Sequence, residues 1–389
     1  MKKIALVLPL LLIATFLLTS CAEKKSGPTV KIGLIAELSG SIPAVGASCK
    51  NAAELAVKQI NEAGGIEVNS QKYQIKLIVE DSAAKPDQAA AAAQKLITQD
   101  NVNLIIGPNC SSNALPAAEI AEDEKVVLIT PWSTNPKTTI DAKTGAPKKY
   151  VFRACFTDIF EGQVLGKFAR ENLKVNNAAI LFDNASEVLK SQAELFKKSF
   201  EVRGGKIVAM ETYSTGDKDF SAQFTKIKAK KPDIVFLPSY YTEVPLQVEQ
   251  AHRLGLRVPF LGSDAWSTEE LIKMCSLEVE GFFLCNHYSP NSENPLTKQF
   301  VALYQNTYQQ VPDDVAALTY DAFGLAARAI KDGNSLDRQA IRDALSKVSS
   351  FEGVTGSIKF NGQTGDPIKG AVILQIKNGK FNWYADEKP

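Results

Sequence analysis

The chain has 389 residues, 45% hydrophobic and 22% charged, a balance that belongs to folded globular proteins and excludes disordered or fibrous classes. Lys plus Arg number 44 against 43 for Asp plus Glu; this near-neutral charge, with no basic stripe, offers no electrostatic footprint for nucleic acid and favours a small ligand. Two histidines, His252 and His287, and no Cys/His cluster at ligand spacing leave little from which to build a metal site or a histidine-based catalytic triad. At about 150 residues per domain, two units are expected.

The chain opens with Met1-Lys2-Lys3, an apolar run over 4–18 broken by Pro9, and Leu18-Thr19-Ser20-Cys21. This is the pattern of a secretory signal, too short to span a bilayer comfortably. Its last four residues are similar to a bacterial lipoprotein box, which implies cleavage before Cys21 and a diacylglyceryl group on that thiol. The expectation is a signal peptide over 1–20, a flexible tether over 21–28, and a protein on the periplasmic face or cell surface, lipid-anchored to the membrane through Cys21. Outside the cytoplasm disulfides persist. Five further cysteines remain, an odd number; Cys275 with Cys285 is a candidate local staple, Cys49 with Cys110 a second, and buried apolar thiols are the alternative for each.

From residue 30 the pattern alternates. A β-rich run over 30–36 precedes a helix over 46–63, where Ala52, Leu55, Ala56 and Ile60 share one face and Gly64-Gly65 stops the chain. A strand over 74–79, a helix over 86–99 opened by Pro86, a strand over 104–106, a helix over 114–122 and a strand over 126–129 follow. The alternation restarts with a helix over 157–172, then a strand over 178–182, a helix over 187–203, a strand over 207–210, a helix over 220–229, a strand over 234–237, a helix over 244–254 and a strand over 258–261. Such spacing implies right-handed βαβ crossovers and two α/β lobes, each a doubly wound parallel sheet.

Open parallel sheets bind ligands beyond the carboxyl ends of their strands, at helix N-termini. In the first lobe those turns carry Gly107-Pro108-Asn109-Cys110-Ser111-Ser112 and Thr130-Pro131-Trp132-Ser133-Thr134; in the second, Pro238-Ser239-Tyr240-Tyr241 and Gly262-Ser263-Asp264-Ala265-Trp266. One set is rich in hydroxyls, the other in aromatic rings with a carboxylate. A zwitterion needs donors for its carboxylate on one side and a negative or π-rich partner for its ammonium on the other, so an α-amino acid fits both.

The ordered set Leu38-Ser39-Gly40, Asn61-Glu62-Ala63-Gly64-Gly65-Ile66, Ile106-Gly107-Pro108 with Ser111-Ser112, Ile129-Thr130-Pro131, Phe152-Arg153 and Thr319-Tyr320-Asp321-Ala322 resembles the branched-chain amino-acid-binding proteins of ABC transporters. The resemblance runs from about Val30 to Tyr384. It implies a type I periplasmic binding protein fold with two lobes joined by three hinge crossings, lobe one being 29–154 plus 287–356 and lobe two 155–286 plus 357–389. It further implies a monomeric receptor without cofactor or metal, which carries an amino acid, hydrophobic or branched-chain, to an ABC permease and its ATPase subunits. Receptors of the same fold for amides, urea-like ligands or aromatic acids, and ligand sensors for a signalling partner, are the alternatives.

Carried over by position, the resemblance makes Ser111 the hydroxyl on the ligand carboxylate, with Ser112 and Ser133 beside it. Trp132 offers a backbone N–H, Thr134 a second hydroxyl, Tyr240 an aromatic wall and Asp264 the partner of the ammonium. Ser267 and Glu270 form an S-x-x-E capping box for the next helix, which frees Asp264 for a ligand. Cys155, Phe156 and Trp266 are further candidates to line the cleft. Val45 and the pair Val188-Leu189 stand where the family often has tyrosines, which makes the expected pocket more apolar. Ser82-Ala83-Ala84-Lys85 and Lys143-Thr144-Gly145 mimic penicillin-recognising boxes, but both fall in loops rather than on the buried helix and strand that chemistry requires. A binder rather than an enzyme is expected.

Overall fold

The computed structural model describes residues 27–388; the segment expected as a signal peptide, and Cys21, lie outside the described residues. The first half runs β1 (Thr29–Ala36), α1 (Pro43–Glu62), β2 (Ile66–Val68), β3 (Gln71–Asp81), α2 (Pro86–Thr98), β4 (Leu104–Ile106), α3 (Ser111–Asp123), β5 (Val127–Thr130) and β6 (Val151–Arg153). Next come α4 (Asp158–Lys167), β7 (Asn177–Asp183), α5 (Glu187–Val202), β8 (Lys206–Tyr213), α6 (Ser221–Ala229), β9 (Ile234–Leu237), α7 (Val244–Arg253), β10 (Phe260–Gly262), α8 (Glu269–Cys275) and β11 (Phe283–Asn286). The chain ends with α9 (Pro295–Tyr308), α10 (Asp314–Gly333), α11 (Arg338–Ser346), β12 (Phe351–Gly353), β13 (Gly356–Phe360), β14 (Pro367–Ile368), β15 (Ala371–Lys377) and β16 (Lys380–Glu387).

Two sheets organise these elements. The first has strand order β2-β3-β1-β4-β5-β6, parallel throughout except for the β2-β3 hairpin, and the second has order β16-β15-β11-β10-β9-β7-β8 with β15 and β16 antiparallel at one side. Strand alternation sends neighbouring residues to opposite faces. Leu34, Ile106 and Ile129 join one apolar cluster, while Ile35, Ile105 and Leu128 join another behind the sheet. Near-continuous apolar runs such as Leu104–Ile106 are what a strand covered on both faces requires. A three-stranded sheet of β12, β13 and β14 packs by Ile358 and Phe360 onto the first lobe's core, with the Phe360 ring edge-on to Phe152.

The lobes meet across their facing edges. One apolar cluster is continuous from Ile32 and Leu34 through Trp132 to Tyr241, Val244 and Trp266, and Lys137 of the first lobe pairs with Glu187 of the second. Three helices start or end differently from the periodicity. The first begins three residues early at Pro43, whose fixed φ suits the first helical position. The helix after β4 begins at Ser111 rather than 114, which brings that hydroxyl into its first turn. Residues 168–172, expected as helix, form a wider π turn closed by Leu173 N–H to the Phe168 carbonyl at 3.1 Å.

The cysteine staples do not form: all five described cysteines are free and buried. Cys275 belongs to the apolar cluster on one face of the second sheet, and Cys285, on β11, points into the cluster on the other face. With the sheet between them, closeness in sequence does not become closeness in space.

Candidate functional site

The first wall of the inter-lobe cleft is built on the carboxyl ends of β1, β4 and β5. Glu37, directly after β1 and fully buried, accepts from Asn109 N–H at 3.0 Å, Asn109 Nδ2 at 2.8 Å and Cys110 N–H at 3.1 Å. It thereby fixes the turn that launches α3. Gly107 makes that turn possible, since its φ is +89° and a Cβ there would lie 2.1 Å from the Ile35 carbonyl oxygen. Buried Cys110 shares the site, and its thiol is pushed well up by burial and by Glu37.

Ser111 then stands at the first position of α3 with its Oγ accepting from Ser133 Oγ at 3.1 Å and Asn135 N–H at 3.3 Å. Both lone pairs are engaged, so the Ser111 proton is the group left to donate. No side chain caps α3, so the partial positive charge of its first turn is available to an anion. The Trp132–Asn135 turn is held from behind by Arg153, fully buried, whose guanidinium donates to the carbonyls of Ser133 and Asn135 and pairs with Asp366 at 2.7 Å.

The second wall is acidic and apolar. Val188, Leu189 and Gln192 of α5 face Tyr240, Asp264 and Ala265, and together with Cys110, Ser111, Trp132 and Thr134 they line a narrow cleft. Asp264 is 3% exposed, its Oδ2 lies 3.0 Å from His287 Nε2, and its backbone N–H donates to Glu161 Oε1 at 2.9 Å. Gln192 Nε2 donates to Asp158 Oδ1 and Glu161 Oε2 at 3.2 and 3.1 Å.

These carboxyls are deprived of water. Burial drives Glu161 well above the ordinary range, and the neighbouring Asp264 and Asp158 charges add to it. Burial also raises Asp264, and pushes Asp158 up to about 6 against the opposing pull of the Thr134 hydroxyl. Burial and Lys369 hold His287 well below its usual range, so its imidazole is neutral at pH 7.

Asp264, His287 and Asp314 bring ligand-type atoms within 4.8 Å of one another. Most of those atoms already have uses: Asp264 with His287, and Asp314 Oδ2 with the indole N–H of Trp132 at 2.9 Å. The trio is a buried cluster in which Asp264 bonds His287 and Asp314 bonds Trp132, with Asp314 Oδ1 left without a hydrogen-bond partner.

Of the residues expected from sequence, Ser111, Trp132, Thr134, Tyr240 and Asp264 come together around the cleft. Ser112 is exposed on α3. Ser133 lies behind Ser111 and shares a hydrogen bond with Thr138, and the Cys155 thiol donates to the Ser133 carbonyl. Phe156 stacks on His287 with ring centres 3.7 Å apart and backs the site without facing it. Trp266, expected at the cleft, is core: it is fully buried against Gly262, where an added Cβ would come within 2.2 Å of the indole.

The capping box also needs correction. Thr268 Oγ1 accepts from Glu270 N–H at 3.3 Å, while Ser267 Oγ accepts from Asn286. Asp158, Glu161 and Gln192 were not singled out by sequence reasoning. Acidic residues in a first helical turn look like ordinary complements of the helix dipole. The one available signal was that Val188, Leu189 and Gln192 share the helix face next to an expected pocket position.

A donor-lined seat for an anion facing a buried carboxylate, across a cleft between two parallel-sheet lobes, defines a two-lobed solute receptor. The chain belongs to the periplasmic binding protein family, which it matches over residues 29–380, and its fold is the type I form of that family. It is 30% identical over 356 residues to the leucine-, isoleucine-, valine-, threonine- and alanine-binding protein of Pseudomonas aeruginosa, covering 92% of this chain and 89% of that one.

Among solved structures, it resembles a leucine-binding protein of Thermotoga maritima (TM-score 0.85, 32% identity, 93% and 99% of the two chains covered). It also resembles a branched-chain amino acid transporter substrate-binding protein of Streptococcus pneumoniae in complex with isoleucine (TM-score 0.84, 34% identity, 93% and 100% covered). No helix among the described residues is long and apolar enough to cross a membrane.

Proposed function

We propose that this protein captures a small α-amino acid with an apolar side chain and delivers it to a membrane permease driven by ATPase subunits. The observation that carries the reading is the polarity of the cleft. Ser111 presents a free proton at the N-terminus of α3, and Asp264 presents a buried carboxyl from the opposite lobe. An ammonium supplies the cation that the second wall lacks, and a carboxylate supplies the anion for which the first is preorganised. Val188, Leu189 and the Tyr240 ring leave an apolar remainder of the cleft for the side chain. Relatives whose names specify leucine, isoleucine or valine support the same class.

The lobes divide at passages near 154, near 287, and between 356 and 371. Ligand binds first to the donor wall, and closure brings Asp264 and Tyr240 onto the ammonium, so that a desolvated pair holds the closed form. The closed shape is what the permease reads. The receptor acts as a monomer held on the periplasmic face or cell surface by lipid on Cys21.

Calorimetric titration of the refolded, ligand-stripped protein against the twenty amino acids, their amides and aromatic acids tests this. Micromolar or tighter binding of an apolar amino acid, lost in Asp264→Ala, is expected. Binding of amides or aromatic acids alone overturns the assignment of the two walls.

A further inference from the structure

Gln192 lies on the second wall one helical turn beyond Val188 and is 5% exposed. The two atoms of its amide are in unequal circumstances. Nε2 donates to two carboxyl oxygens, Asp158 Oδ1 and Glu161 Oε2, whereas Oε1 is buried and has no hydrogen-bond partner. The orientation follows from Asp158: turning the amide over would set its oxygen against Asp158 Oδ1, an acceptor whose carboxyl, at about 6, is ionised at pH 7. A buried amide oxygen left unpaired is unfavourable until something donates to it.

Glu161 connects this orphan to the ligand's expected position. One of its oxygens receives the Gln192 amide and the other receives the Asp264 backbone N–H at 2.9 Å. A single carboxyl therefore ties Gln192 and Asp264 side by side on the same wall. Asp264 has already committed Oδ2 to His287, which leaves it one oxygen for a ligand. An alkylammonium carries three N–H donors and is undersatisfied by one acceptor in a site closed to water.

We infer that Gln192 Oε1 is the second acceptor for the ligand's ammonium group, and that Glu161 is the positioning residue that holds it beside Asp264. This rests on the reading of the cleft as an α-amino-acid site and sharpens it. The second wall selects for a primary ammonium, because an analogue without one leaves two buried acceptors unpaired.

The test uses the full-length protein, with L-leucine and its deaminated analogue 4-methylpentanoate as probes, the analogue read by displacement of bound L-leucine. Gln192→Met keeps the volume and removes the acceptor. It is expected to weaken L-leucine about 10- to 100-fold and to leave 4-methylpentanoate as tight or tighter, since one unpaired buried acceptor is gone, so that discrimination between the two narrows by at least that factor. Altered packing alone moves both probes alike. Glu161→Gln is expected to narrow discrimination too, with Gln192 still present, because an amide NH2 at 161 forces the Gln192 amide to turn over. Thermal melts confirm that both variants fold.

If Gln192→Met binds L-leucine like the wild type, or weakens both probes equally, the inference is overturned while the receptor reading stands. If the wild type binds no amino acid, the receptor reading fails and this inference falls with it.

Discussion

The two walls of the cleft are built by the same architecture and prepared in opposite ways. On the first, Glu37 and Arg153 stand behind the surface and spend their charges on backbone groups of the turns that carry Ser111 and Thr134. What faces the cleft is neutral hydroxyl and the start of a helix. On the second, Asp158, Glu161 and Asp264 lie at or just behind the surface, each with its pKa raised by burial, and Asp158 Oδ2 and Gln192 Oε1 have no partner. One wall has its polar groups engaged within the fold, and the other holds buried carboxyls that lack a cationic partner and so hold their protons to higher pH. A receptor with this division recognises both ends of a zwitterion without exposing an uncompensated cation of its own.

The most severe way to break the contrast is Asp264→Ala. L-Leucine affinity is expected to fall by about 100-fold or more, the scale of a lost charge-assisted pair, while the melting temperature of the ligand-free protein changes little, the relief of a costly buried carboxyl being offset by the buried His287 Nε2 left without its partner. A variant that binds normally would show that the second wall is not the cation seat. Ser111→Ala comes next. Losing one donor to a carboxylate is expected to weaken binding by about tenfold, and melting should show a small loss from the abandoned Ser133 and Asn135 bonds.

The titration behaviour sharpens the difference. A carboxyl whose folded pKa is raised binds protons more tightly in the native state, so its contribution to stability is greatest in acid and is lost as pH rises through the folded value. For Asp158 that window runs from about 4, the unfolded value, to about 6, and Glu161 and Asp264 extend it upward. The ligand-free protein is therefore expected to melt higher at pH 5 than at pH 7. Ligand affinity should move the opposite way, because an ammonium requires Asp264 ionised. Binding near pH 6 should release protons, measurable as a dependence of the calorimetric heat on buffer ionisation enthalpy. Equal affinity at pH 5 and 7 would contradict this. The smallest expected effect is Trp132→Phe, which removes the indole bond to Asp314. About 1 kcal/mol of stability and less than about threefold in affinity should be lost.

Much of this architecture was legible in the residues. Alternating strand and helix periods located both sheets, and the turns after β4, β5, β9 and β10 supply residues that line the inter-lobe cleft. Trp266 shows where that reading stopped. Its position in a strand-end turn was indistinguishable from that of Asp264 two residues earlier, yet a glycine at 262 gives the indole a place in the core. Cys275 and Cys285 show the same limit, since spacing carries no information about which face of a sheet each thiol meets.

By itself, then, the sequence determined the class of fold, the order of its elements and the chemical types on each side of the cleft, because those depend on local periodicity and on the direction of parallel strands. Only the tertiary structure decided which groups are charged, paired or left wanting. Glu161 meets Asp264 across 103 positions and Gln192 across 31, and the pKa of each carboxyl depends on burial and neighbours that exist only once the lobes have folded and met.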